Sequence, residues 1–223
     1  MKPTIYLASA SPRRHELLNQ IGVAHQVLNV PAAPGEDEPR HQHESPLAYV
    51  QRTALEKAVR AHEYLDNLDR THLTAHSTTQ SAEHNQVEIV DVNATFAQNT
   101  AILAADTTVA LDELVLGKPA DTADAVRILR LLSDKTHTVH TAIVLSWKSQ
   151  QWRALSTTTV TFTALSDDEI NDYIHTGEPF GKAGAYGIQG YAAKFISRIE
   201  GSYSGVMGLP LYETANLLKH LSE

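Results

Sequence analysis

Ser9, Ser11, Arg13 and Arg14 crowd one short stretch near the N-terminus, Leu7-Ala8-Ser9-Ala10-Ser11-Pro12-Arg13-Arg14. Serine followed by proline is a helix start, with Ser11 as N-cap and Pro12 at the first helical position. The first turn of a helix has backbone N–H groups without intrahelical partners and carries the positive end of the dipole. Two hydroxyls and two guanidiniums placed there make an anion site, and the planar fork of arginine suits phosphate oxygens. The same pattern also starts helices whose Arg-Arg pair is only a solvated face.

Other residues of chemical interest lie far along the chain. Glu36-Asp37-Glu38 is an acidic run in a proline-bearing loop, which is either simply solvated or a source of carboxylates for a divalent cation. Lys57 falls on an amphipathic stretch and turns either inward or to water. Asp106 closes the apolar run Thr100-Ala101-Ile102-Leu103-Ala104-Ala105, so it is expected at the carboxyl end of a buried strand, where open α/β sheets keep their chemistry; a turn or cap aspartate is the alternative. Lys118 stands between Gly117 and Pro119, which restrict its backbone. Gly177 to Gly190, GEPFGKAGAYGIQG, holds five of the eleven glycines without forming a P-loop or dinucleotide fingerprint. Gln189 in that segment has both an amide donor and a carbonyl acceptor, the pair needed to read a base edge. His72 and His76 are four apart, a spacing more usual for surface histidines than for a metal site when no further ligand follows.

The elements that must position these groups follow from periodicity. Thr4–Ala8 reads as a strand, residues 15–21 as a short helix with Leu17, Leu18 and Ile21 on one face, and His25–Val30 as a second strand. Ser45 to about Leu65 reads as an amphipathic helix, and 67–99 as an extended insertion in which only Val87–Val92 has strand character. Val109–Leu111 and Leu114–Leu116 form a hairpin, Asp121–Leu132 a capped helix, and 136–147 with 152–164 a long antiparallel pair. Ser166 and Glu169 form a capping box. Ala192–Arg198 reads as a strand, Gly201–Gly208 as turns, and Pro210–Leu221 as a closing helix with Leu211, Ala215, Leu218 and Leu221 on one side.

Composition removes whole classes of function. The 223 residues contain no cysteine, so disulfides and thiolate metal sites are excluded, and the hydrophobic fraction of 42% is that of an ordinary globular protein. A formal net charge of −8 argues against nucleic-acid binding by bulk electrostatics, so a polyanionic ligand requires a local cationic cluster. No apolar run follows a basic segment at the N-terminus and no stretch approaches a membrane span, which gives a cytoplasmic protein as the expectation.

Taken in order, SASPRR, the acidic loop with Asp37-Glu38, Leu55-Glu56-Lys57-Ala58, Ala105-Asp106-Thr107, Gly117-Lys118-Pro119, and KAGAYGIQG with GLPLYET resemble the Maf family of nucleoside triphosphate pyrophosphatases from residue 4 to about 221. The resemblance implies an α/β fold related to that of inosine triphosphate pyrophosphatase: an elongated, mixed, twisted β-sheet flanked by helices, with two lobes and a central cleft in a single domain over 1–223. The 67–99 segment is an insertion atypical of the family. The resemblance further implies hydrolysis of a nucleoside triphosphate between the α and β phosphates with Mg²⁺ or Mn²⁺. Asp106 would be the proton acceptor, Glu38 the second carboxylate with Asp37 as stand-in, and Asp106 and Glu38 the metal ligands. Ser9, Arg14, Lys57 and Lys118 would neutralise the triphosphate. Arg13, Thr107 and Gln189 match the branch that acts on dTTP and UTP rather than on 7-methyl-GTP. A homodimer is a further family expectation. The rival readings are a non-catalytic, nucleotide-binding regulator of cell division, a phosphatase acting on sugar phosphates or nucleoside monophosphates, and a pyrophosphatase with a different base preference such as 7-methyl-GTP.

Overall fold

The structure, a computed structural model, describes residues 3–31, 39–77 and 99–222. Among these residues seven strands join in one mixed sheet: β1 (Thr4–Leu7), β2 (Gln26–Val27), β3 (Thr100–Leu111), β4 (Leu114–Leu116), β5 (Thr136–Trp147), β6 (Gln150–Phe162) and β7 (Ile196–Glu200). Their order is β2–β1–β3–β5–β6–β7, with β4 paired to β3 outside that path. The first three strands in this order run parallel and the rest pair antiparallel. The helices are α1 (Pro12–Gln20), α2 (Pro46–Ser77), α3 (Thr122–Leu132), α4 (Asp167–His175), α5 (Tyr203–Met207) and α6 (Leu211–Leu218). The mixed, helix-flanked α/β sheet expected from the sequence is present, and no helix of the described residues is long and apolar enough to cross a membrane.

Side-chain alternation along β3 divides the interior. Ala101, Leu103 and Ala105 join Leu17 and Leu18 of α1, Ile143 and Leu145 of β5, and Leu217 of α6 on one face. Ile102 and Ala104 turn the other way and meet Val50, Ala54, Ala58 and Ala61 of α2. Alanine on both sides of this second contact lets the helix lie close to the sheet, as the absence of larger side chains requires of a close-packed interior. A third cluster joins α3 and α4 to Val109, Val139, Val160 and Phe162 at the far end of the sheet.

Several expectations change. β3 does not end at Asp106 but continues to Leu111, because the two threonines after the aspartate are β-branched and fit the pleat while pairing with Thr141 and His140. α2 does not stop near Leu65; its backbone runs to Ser77, through both His72 and His76, so the start of the 67–99 segment is helical. Val87–Val92 lies outside the described residues. The strand expected over 25–30 is reduced to Gln26–Val27, residues 191–195 form a 3₁₀ turn before β7, and α5 occupies the segment read as turns. Ile21 is exposed, and α6 buries Thr214 and Leu217 rather than Ala215. The caps follow the sequence: Asp121 accepts from Asp124 N, and Ser166 and Glu169 complete the capping box.

His137 of β5 is buried in the third cluster, its Nε2 paired with the Tyr186 hydroxyl at 2.8 Å and its ring edge-on to Phe162. Its Nδ1 has no hydrogen-bond partner among the described residues, and burial lowers its pKa from 6.5 to about 4. The fold thus holds the imidazole neutral, and on acidification the unfolded chain takes up that proton first. The contribution is complete above pH 6.5 and is lost as pH falls toward about 4. The expected result is that wild type loses stability across this window more steeply than His137→Gln, by on the order of 1 kcal/mol per pH unit. Urea unfolding at a series of pH values measures the two slopes, and equal slopes would remove His137 as their source.

Candidate active site

β1 pairs with β3 only as far as Leu7 opposite Leu103, and β4 pairs with it only from Leu116 opposite Val109. Between these contacts, residues 104–108 of β3 have β5 on one side and no described strand on the other. The chain leaves β1 here, with Ala8 N–H donating to Leu103 O at 2.9 Å, and turns into α1. A cavity of about 580 Å³ opens at this gap. Such a crevice, at the end of a strand where neighbours on one edge are missing, is where open α/β folds receive ligands.

Every site residue named from the sequence that lies in the described region lines this cavity: Ser9, Arg13, Arg14, Lys57, Asp106, Thr107, Lys118 and Gln189. Glu38 and Asp37 lie outside the described residues. The chain resumes at Pro39, whose carbonyl accepts from Arg52 Nη2 of α2 at 3.0 Å. Arg52 also holds Glu44 through Nε and Nη2 at 2.7 and 2.9 Å, and these bonds lower the Glu44 pKa to about 2. The segment following the acidic run is therefore moored to the same helix that carries Lys57.

Asp106 and Thr107 are neighbours on β3 and so point to opposite faces. Asp106 faces α2. Lys57 Nζ donates to its Oδ1 and Thr53 Oγ1 to its Oδ2, while the carboxylate side chain keeps 14% exposure toward the cavity. Thr53 and Lys57 are one helical turn apart, which stacks them over the two oxygens. Thr53 was not singled out in the sequence, where a threonine one helical turn before a lysine carries no signal of its own.

Thr107 faces α1. Arg14 donates through Nε to Gly208 O at 2.7 Å, through Nη1 to Ser9 Oγ at 3.1 Å and through Nη2 to Thr107 Oγ1 at 3.2 Å. Thr141 donates to Gly205 O at 2.8 Å, so its single hydrogen is committed and it accepts from Thr107 at 2.9 Å. The direction of every proton in this row is thereby fixed, from Arg14 through both threonines to the α5 backbone. Gly208 ends α5 at φ 113°, a left-handed conformation that aims its carbonyl at Arg14 and that few other residues adopt. Burial lowers the Arg14 pKa from its ordinary value and the carboxylate of Asp106 opposes that shift; arginine stays cationic regardless. The sequence offered Arg14 as a free phosphate fork. In the fold its Nε and one N–H on each Nη are taken by the protein, leaving one N–H on each Nη for a ligand.

Ser9 Oγ accepts from both Arg14 and Ser11 N–H, so its proton remains the group with which it can meet a ligand. Ser11 itself makes no side-chain cap bond to α1. Arg13 reaches Met207 O at 3.4 Å from Nε. Lys118 is exposed on the turn after β4, tied to the glycine-rich segment by Gly184 N–H donating to Gly117 O at 3.0 Å. Gln189 is exposed on the turn closed by Gly190 N–H to Gly187 O at 3.1 Å. Three polar side chains of the lining were missed: Arg60, Lys182 and Tyr186. Lys182 was legible as the lysine of KAGAYG; burial and the neighbouring Arg13 lower its pKa. Arg13, Arg14, Lys57, Arg60, Lys118 and Lys182 face a single described carboxylate, Asp106, and a surplus of cations in one concavity concentrates an anion against a negative overall charge.

A family model described as Maf-like protein matches residues 4–221. A dTTP/UTP pyrophosphatase of Bordetella parapertussis is 51% identical over 217 residues, covering 97% of this chain and 92% of that protein. The dTTP/UTP pyrophosphatase of Bordetella pertussis is 50% identical over the same length and coverage. That of Aromatoleum aromaticum is 44% identical over 229 residues, covering 98% of this chain and 97% of that protein.

The threonine row is open to test. Thr107→Val removes the hydroxyl that joins Arg14 to Thr141, and the expected loss is about 1–2 kcal/mol in urea unfolding, most of it recovered by Thr107→Ser. A Thr107→Val protein as stable as wild type would show that the row is not a structural link.

Proposed function

The chain belongs to the Maf family, and on that premise we propose that it hydrolyses dTTP and UTP to the nucleoside monophosphate and pyrophosphate. The observation that carries this reading is the gathering, among the described residues, of one carboxylate, Asp106, and six cations around a cavity of about 580 Å³. That volume falls in the roughly 300–1,000 Å³ range of small-ligand sites, and the surplus positive charge is what a triphosphate would neutralise.

In the proposed reaction Asp106 is the general base. Lys57 and Thr53 each occupy one position on its two oxygens, and a carboxylate has about two acceptor positions per oxygen, so one on each remains for a water. The bond from Lys57 and Thr53 fixes the plane of the carboxylate before the water arrives, which is the arrangement that makes proton abstraction efficient. The water oxygen forms a bond to the α phosphorus, its proton passes to Asp106, and the bond from the α phosphorus to the oxygen bridging to the β phosphate breaks, its electron pair leaving on that oxygen as part of pyrophosphate. Ser9, Arg14, Lys57 and Lys118, together with Arg60 and Lys182, offset the charge that gathers on the phosphate oxygens.

A divalent cation fits this donor set. Mg²⁺ is usually held by one or two carboxylates plus substrate phosphates, and no cluster of three or more acidic or histidine ligands occurs among the described residues. Asp106 and Glu38 would hold it, and it would supply charge neutralisation and geometry at the phosphates; either carboxylate can serve as ligand or as base. Arg13, Thr107 and Gln189 are assigned to the base. Uracil and thymine present a carbonyl at C4 and a donor at N3, which the Gln189 amide can meet with its own donor and acceptor, while cytosine inverts both. The pair discriminates only while the Gln189 amide is held in one orientation, since an amide turned over presents its donor and acceptor in the order that cytosine needs.

The test is a product assay with Mg²⁺ or Mn²⁺ over dTTP, UTP, CTP, GTP, ATP and 7-methyl-GTP, followed for monophosphate and pyrophosphate. Pyrophosphate from dTTP and UTP is expected; a purine preference would overturn the assignment of Arg13, Thr107 and Gln189, and no pyrophosphate at all would overturn the activity. Asp106→Asn is expected to lower kcat by on the order of 10²–10⁴ with the thermal transition retained. Thr53→Val is expected to lower kcat roughly tenfold at constant KM, since it loses a bond to a charged group without changing shape; unaltered kcat would leave Thr53 as packing only.

A further inference from the structure

Glu178 lies just beyond α4 and its side chain reaches under the glycine-rich turn that carries Gln189. Its Oε2 accepts the backbone N–H of Tyr191 at 2.8 Å, and its Oε1 accepts the hydroxyl of Tyr173 at 2.8 Å. The Tyr173 oxygen in turn accepts the backbone N–H of Gly187 at 3.2 Å. Gln189 therefore has an anchored peptide two residues before it and another two residues after it, and both anchors converge on one carboxylate. A Cβ on Gly190 would lie 2.2 Å from Glu178 Oε2, so glycine is what allows the carboxylate to nest against the turn.

The surroundings make this a rigid support. Tyr173 is fully buried on α4, stacks on Tyr191 with ring centroids 5.7 Å apart, and meets Phe195 edge-on. The Glu178 carbonyl accepts from Lys182 Nζ, tying a cation of the cavity wall to the same residue. Neither Glu178 nor Tyr173 lines the cavity, so neither can touch the base. Gln189 itself is exposed on the turn closed between Gly187 and Gly190, and an exposed side chain can discriminate only as well as its backbone is held.

We propose that Glu178 is a positioning residue for base selection, acting through Tyr173 and the Tyr191 peptide to hold Gln189 in register with the pyrimidine edge. The inference rests on the assignment of Gln189 to the base made above. A carboxylate suits the role because both of its oxygens accept; an amide at the same place presents one NH₂ group to a donor, breaking one anchor while keeping size and shape.

The experiment compares kcat/KM for UTP and CTP in wild type, Glu178→Gln, Tyr173→Phe, Gln189→Ala and the double variant Glu178→Gln with Gln189→Ala, with thermal unfolding of each. Glu178→Gln and Tyr173→Phe are expected to lower the UTP:CTP ratio roughly tenfold, with kcat for UTP changing much less. In the Gln189→Ala background Glu178→Gln is expected to change the ratio no further, the mark of two residues acting as one unit. Equal losses on both nucleotides, with the ratio kept in both single variants, would make Glu178 a stabilising contact only and overturn the inference. A ratio that falls as far in the Gln189→Ala background would overturn it too, since Glu178 would then act elsewhere. Failure of the underlying reading looks different: wild type and Gln189→Ala would share one ratio.

Discussion

The edge of β3 between Leu103 and Val109, with no described strand beside it, is the constraint from which the site follows. A fully paired strand presents its two faces to separate layers, and groups on opposite faces cannot meet one ligand. At this gap both faces open on the same space, so Asp106, directed toward α2, and Thr107, directed toward α1, line one cavity. Pairing with β5 continues unbroken through the gap and holds the backbone straight. The groups around it are brought in by close packing on each side: alanines of α2 against Ala104 place Thr53 and Lys57 on the carboxylate, and Leu17 and Leu18 fix the helix from which Arg14 reaches back.

The charge arrangement has a similar economy. The chain as a whole is negative, at −8, yet the described lining of the cavity carries six cations against one carboxylate. Like charges so close repel, and the structure relieves this by committing particular cations. Lys57 is paired with Asp106, Lys182 donates to a carbonyl, and Arg14 spends three donors on the protein. The position of each is fixed by neutral or opposite partners, so a polyanion meets an organised surface rather than a set of mobile side chains.

What the sequence made legible was whatever is decided locally or by residue type. Ser11-Pro12, Asp121 and the Ser166–Glu169 pair mark helix starts because caps depend on a few adjacent residues. Arg13, Arg14, Lys57, Lys118 and Asp106 could be named because the resemblance supplied their order along the chain, whereas Arg60 and Lys182 stand outside the motifs that were weighed for charge. The rest depends on contacts between distant segments. Asp106 looked like a strand end because three polar residues interrupt the apolar pattern, whereas pairing with β5 carries the strand onward. The extension of α2 to Ser77 was hidden by a polar composition that has no apolar stripe. Thr53 was invisible because a threonine inside a helix is commonplace until its partner across the sheet is known.

The turn from Gly187 to Gly190 separates two duties usually merged in one residue. Ile188 is buried and secures the loop to the core, while the adjacent Gln189 projects outward and contributes almost nothing to that attachment. Exchange of the outward side chain therefore changes the cavity wall at that point while leaving the attachment of the loop and the position of Asp106 as they were. On the proposed assignment of Gln189 to the base, preference and loop attachment can change independently of each other, because they rest on adjacent residues that face opposite ways.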